Sequence, residues 1–136
     1  MIASLICVIS GAALFQLMAA YCRSILASSR RVELSERVRE VGGFRGDSVG
    51  VGDFGRLLQL VRLCPQRTDD QTDIRAVGAY YGALRILNRA SGAFVPRIAA
   101  WANRECEKCS YFAAVALDRR ISYSRDLFFQ QLGSRA

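Results

Sequence analysis

A chain of 136 residues with 19 cationic and 12 anionic side chains has a net charge of +7, is half apolar and contains no histidine. That size allows one small domain, and the missing imidazole excludes Ser-His-Asp and Cys-His nucleophilic sites and every histidine-ligated metal or haem. Lys108 is the single lysine; acids are interspersed among the arginines, which reads as a mixed solvated surface, so nucleic acid is not the expected partner.

The chain opens on its most apolar segment. From Ile2 to Cys22 there are 21 consecutive residues without a charged side chain. As a helix this segment is ~31 Å long, the thickness of the hydrocarbon core of a bilayer. Residues 1–22 are therefore predicted to form a single transmembrane helix. The competing reading, a cleaved signal peptide, needs a basic start and a small-x-small cleavage site. Met1–Ser4 carry no Lys or Arg, and Met18-Ala19-Ala20 puts a large residue where a small one is preferred. A lipoprotein site at Cys22 is disfavoured by Tyr21 before it. Arg23, Arg30 and Arg31 follow the span. The positive-inside rule then places the C-terminal part in the cytoplasm, at a bacterial inner membrane, with these arginines facing anionic head groups. Within the span, Ala3, Cys7 and Gly11 recur every four residues, a stripe that lets a second helix approach closely. Gln16 adds an amide that wants a partner in hydrocarbon. These four residues are predicted to face a larger membrane complex or a second copy of the chain.

Residues 23–41 lack Gly and Pro and are expected to extend the helix, with Leu34, Val38 and Val41 on one stripe. Residues 42–55 hold six of the eleven glycines and read as a linker. They have no lysine, so they do not match a phosphate-binding loop. Residues 56–136 are expected to form a small bundle. Its first helix, over 54–64, is capped by Asp53 and stopped by Pro65; Leu57, Leu60, Val61 and Cys64 share its apolar face. A second, from an Asp70 cap to Ser91, carries Ile74, Val77, Tyr81, Leu84 and Leu87 at helical spacing. Pro96 suits the first position of a third, running to about 131, with its stripe from Val95 and Ile98 through Cys106, Cys109, Ala113 and Ile121 to Phe128. No credible period-2 strand exists. The fold class is all-α: a transmembrane helix followed by a small antiparallel helical bundle.

Cys106-Glu107-Lys108-Cys109 is the one chemically suggestive spacing. Its thiols are neighbours on a helix face, but they lie well inside a helix, away from the N-terminal dipole that activates such dithiols. Ser110 stands where a c-type haem site needs histidine. Zinc or iron–sulfur sites want four ligands, and only Cys64, Cys106 and Cys109 lie beyond the membrane span. Cys106 and Cys109 are thus metal candidates only if another chain completes the set; otherwise they are reduced core cysteines, and no cofactor is expected. The bundle is rich in aromatics for its size, among them Tyr80, Tyr81, Phe94, Trp101, Phe128 and Phe129. Trp101, Phe128 and Phe129 are candidates for a partner interface, since aromatics and Arg mark binding surfaces. The expected function is a non-catalytic accessory or scaffold subunit of a membrane complex. The alternatives are a redox or metal-binding helper built on Cys106 and Cys109, and an adaptor for anionic lipid or nucleic acid.

Overall fold

A computed structural model describes residues 1–43 and 49–135. Those residues form five helices and no strand: α1 Ile2–Ser29, α2 Glu36–Gly42, α3 Phe54–Leu63, α4 Thr68–Ser91 and α5 Pro96–Arg135, with a single 3₁₀ turn at Val51–Asp53 before α3. The all-α class expected from the periodicity is what the chain adopts. Residues 44–48, part of the segment read as a linker, lie outside the described residues.

α1 has no Gly or Pro after Gly11 and runs without interruption past the end of the uncharged segment. It does not continue to residue 41. The hydroxyls of Ser28 and Ser29 donate to the carbonyls of Ile25 and Leu26 at 2.7 and 2.8 Å, competing with the main-chain ladder where the helix ends. Contacts to α5 then hold the break. The Tyr111 hydroxyl donates to the Val32 carbonyl at 2.6 Å. The Ser35 amide and hydroxyl donate to Asp118 at 3.3 and 2.6 Å. Of the stripe expected beyond the break, Leu34 and Val38 are buried and Val41 is exposed. α2 closes on Gly43 at φ +68°, a left-handed cap that donates to the carbonyls of Arg39 and Glu40.

α3 ends before Pro65 because Cys64, preceding a proline, is extended. Asp53 does not cap it: its carboxylate accepts from the Gly50 amide at 3.0 Å and closes the 3₁₀ turn instead. α4 starts two residues before Asp70, which sits with Asp69 in the first turn, where negative charge complements the helix dipole. Val77, Tyr80 and Leu84 of α4 are fully buried, and Tyr81 stacks on Phe54 at 4.2 Å between ring centroids.

α5 is the centre of the molecule and touches every other element. Between Cys109 and Leu117 it is buried on nearly all sides, with small residues at Ala113, Ala114 and Ala116 where its neighbours crowd in. α1 packs on α4 and α5 through Ala19, Cys22, Leu26 and Ser29. The pairings fix directions. Phe15 meets Tyr80, and Tyr21 meets Asp73, so α1 and α4 are antiparallel. Tyr80 meets Glu105 and Asn88 meets Asn103, so α5 runs against α4 and in the same direction as α1, whose Arg23 also meets Glu105. The free start of α1 and the α4–α5 turn therefore share one end of the molecule. The C-terminal arm of α5 lies at the other.

Candidate functional site

Where α1 joins the bundle, a carboxylate is buried among donors. Glu105 is 3% exposed. It accepts from the Tyr80 hydroxyl at 3.2 Å and is paired with Lys108 one turn along α5. Arg23 of α1 lies 3.9 Å from the same carboxylate, and its guanidinium sits over the Trp101 ring at 5.4 Å. This cluster joins three helices through one charge. Arg23, read from sequence as a head-group ligand, makes this contact while remaining exposed, as Arg30 and Arg31 are. Burial, with Glu105 close by, pushes the Tyr80 phenol up to about 12, so it is a neutral donor at physiological pH. On the neighbouring turn the Tyr21 hydroxyl donates to Asp73 at 3.0 Å.

The residues predicted to face partners fall at separate places. Ala3, Cys7, Gly11 and Gln16 all lie on exposed helix, and a Cβ added at Gly11 would meet nothing within 4 Å. All of α1 before Phe15 is exposed, so that stripe is open to a neighbour. Trp101 is half-buried under Arg23 at the junction. Phe128 and Phe129 are 60% and 63% exposed, edge-to-face on the free end of α5. The structure brings neither phenylalanine to Trp101 or to α1.

Cys106 and Cys109 are fully buried in the core. Burial pushes both thiols up from their ordinary range, away from the thiolate that redox or metal chemistry uses. Cys64 is half-buried at the end of α3. Among the described residues no three His, Cys, Asp or Glu side chains gather as a metal site.

An open cleft of about 680 Å³ between α3, α4 and α5 is lined by Phe54, Leu58, Val61 and Ile74, by the exposed Arg62 and Arg75, and by the buried Arg120. Arg120 is 3% exposed; its Nη1 donates to the Val61 carbonyl at 2.8 Å, and its Nε has no hydrogen-bond partner. Neither Glu105 nor Arg120 was among the candidates from sequence. Both sit within charged runs, Arg104–Lys108 and Asp118–Arg120, which hides them in the sequence; only their helical phase relative to Ala102, Cys109, Ala113 and Ala116 marks them as core-facing. No protein-family model, curated protein or solved structure matches this chain.

Proposed function

We propose that this protein is a non-catalytic, single-pass subunit of a membrane assembly, anchored by α1 in a bacterial inner membrane with the bundle in the cytoplasm. The observation that carries the reading is the division of α1. Its first half is long, apolar and uncovered; its second half is built into the core through Cys22, Leu26 and Ser29. A core helix of a soluble protein would be covered along its apolar length. A signal peptide cleaved after Ala20 would remove Phe15, Met18 and Ala19, which pack on the bundle. Both facts favour a retained anchor. Arg23, Arg30 and Arg31 on its bundle side favour the cytoplasmic orientation. The open stripe of Ala3, Cys7 and Gly11, together with the bare Phe128 and Phe129, supports docking onto larger partners at both ends. The redox alternative is weakened by the burial of both thiols.

The test is to extract membranes with alkaline carbonate, to assay a C-terminal reporter fusion, and to purify the protein in mild detergent. The expected results are retention in the pellet, a cytoplasmic reporter signal and a co-purifying membrane complex that is lost from the Gly11→Leu variant. Release by carbonate refutes the anchor. A periplasmic signal refutes the orientation, and unchanged co-purification of Gly11→Leu refutes the helix interface.

A further inference from the structure

We infer that the cleft between α3, α4 and α5 is a binding site for a small organic anion, a carboxylate or phosphate carried on an apolar body. The inference stands on the geometry of the cleft and does not draw on the membrane reading of α1.

Two helix faces of matching pattern build the cleft. On α3, Phe54, Leu58 and Val61 recur at i, i+4 and i+7, and Arg62 follows directly. On α4, Gln71, Ile74 and Gly78 recur at i, i+3 and i+7, and Arg75 follows Ile74. Residues so spaced share a helix face. Each arginine stands one position, about 100° of helix, from the apolar residue before it, which puts it at the edge of that face. Both arginines are exposed, and neither is ion-paired with a carboxylate among the described residues. No Asp or Glu lines the cleft among the described residues. Gly78 leaves its wall bare: a Cβ added there meets nothing within 4 Å. The space of about 680 Å³ falls in the ~300–1,000 Å³ range of small-molecule sites, which combine mostly apolar walls with a few placed polar groups.

The deciding group is Arg120 of α5, which borders the cleft and is buried. Its Nη1 donates to the Val61 carbonyl, near the end of α3, where main-chain acceptors lack helical partners. That bond uses one of the five N–H donors of a guanidinium. The Nε is buried with no hydrogen-bond partner, and no carboxylate pairs with this charge among the described residues. A buried cation held by one neutral carbonyl is costly unless an anion joins it. The cleft is where that anion can sit, because Arg120 borders it and Arg62 and Arg75 add two more cations. Planar guanidinium forks match the paired oxygens of a carboxylate or a phosphate. The apolar wall of Phe54, Leu58, Val61 and Ile74 then covers an apolar body behind the charged head. An acidic segment of another protein would pair with the exposed Arg62 and Arg75 more readily than with the buried Arg120, so dependence on Arg120 separates the two occupants.

Calorimetric titration of the full-length protein in phosphatidylcholine nanodiscs, with empty nanodiscs as the blank, tests this. The probes are 4-phenylbutyrate and phenyl phosphate. The expected result is one saturable site per chain for at least one of them, and the tighter of the two identifies the head group. Neutral 4-phenylbutanol and inorganic phosphate, which lack the head and the body, should each bind about ten-fold more weakly or worse. Arg120→Met should lower the affinity by about ten-fold or more. The unliganded variant should unfold at the same temperature or a higher one, because a buried cation without a counter-ion has been removed. Gly78→Leu fills the cleft from an unobstructed helix position and should abolish binding with helix content unchanged; it decides the matter if Arg120→Met does not fold. No saturable binding of either anion overturns the site. Equal binding of 4-phenylbutanol overturns the role of the arginines, and unchanged affinity in Gly78→Leu overturns the assignment to this cleft. Unchanged affinity in Arg120→Met, with a lowered unfolding temperature, makes Arg120 a structural cap of α3 and overturns the proposal. Binding of the peptide acetyl-Glu-Leu-Leu-Glu-amide with neither small anion bound overturns the ligand class in favour of a protein segment.

Discussion

Glu105 is the residue whose loss should be felt most widely for its size. Glu105→Ala leaves the Tyr80 hydroxyl without its acceptor and Lys108 and Arg23 without their shared carboxylate. Both cations reach water, so screening limits the cost to about 1–2 kcal/mol, read by denaturant unfolding in detergent. Tyr80 supplies a pH signature. Its phenol is raised from 10.0 to about 12 by burial first and Glu105 second. A raised folded value contributes stability that is fully present below pH 10 and is lost as the pH climbs toward 12. Tyr80→Phe should cost about 1 kcal/mol at neutral pH and flatten that alkaline loss, which stability curves measured from pH 8 to 12 would show. Cys106 and Cys109 are core residues in this structure. Cys106→Ala with Cys109→Ala should cost about 1–3 kcal/mol from lost buried volume and leave assembly intact. Stoichiometric zinc or iron in the purified complex, vanishing in the double variant, would instead restore the metal reading. Their core position was legible because i, i+3 spacing on an apolar stripe is a periodic property. The Glu105 cluster was not, because its members come from three helices and only the packing of α1 brings them together.

At the scale of elements, chain punctuation was read well and long-range pinning was not. Pro65 and Pro96 mark the end of α3 and the start of α5 because proline acts on its own neighbours. The break after Ser29 was missed because it depends on Tyr111 and Asp118, which reach it from α5. The same reason hid the docking of α1. A uniformly apolar helix has no preferred face in its sequence, so nothing distinguishes Cys22 and Leu26, which are buried, from Leu14 and Leu17, which are not. Leu26→Ala should cost about 2–4 kcal/mol and loosen α1 from the bundle. Hydrogen exchange should then rise across residues 15–29 while α3 keeps its protection. Gly43→Ala tests the left-handed cap of α2. The nearest side-chain atom to the added Cβ is Arg56 Nη1 at 4.0 Å, so the penalty of about 1 kcal/mol is conformational. Gly43→Asn should recover part of it, since asparagine tolerates that backbone region better.

At the scale of the whole molecule, the all-α class and the single apolar helix followed from length, periodicity and composition. The relation between that helix and the bundle did not, because helix directions are set by side-chain pairings across the sequence. The chain also has an extended geometry unlike a compact bundle. α5 is 40 residues long and contains neither Gly nor Pro from Arg97 to Leu132, which makes it a rod of about 60 Å with no natural hinge. Beyond Leu127 every described residue is exposed, Phe128 and Phe129 among them. That aromatic pair stands at most about 50 Å along the rod from Phe94, a distance set by residue count alone. On the membrane reading proposed above, a partner that docks on this pair must present its groove at that distance. Inserting seven residues after Ser124 should lift the pair by about 10 Å with little rotation, whereas inserting two should turn it to the opposite side with little lift. Co-purification that tolerates the second insertion and fails with the first would reveal a partner that reads altitude; the reverse would reveal one that reads azimuth.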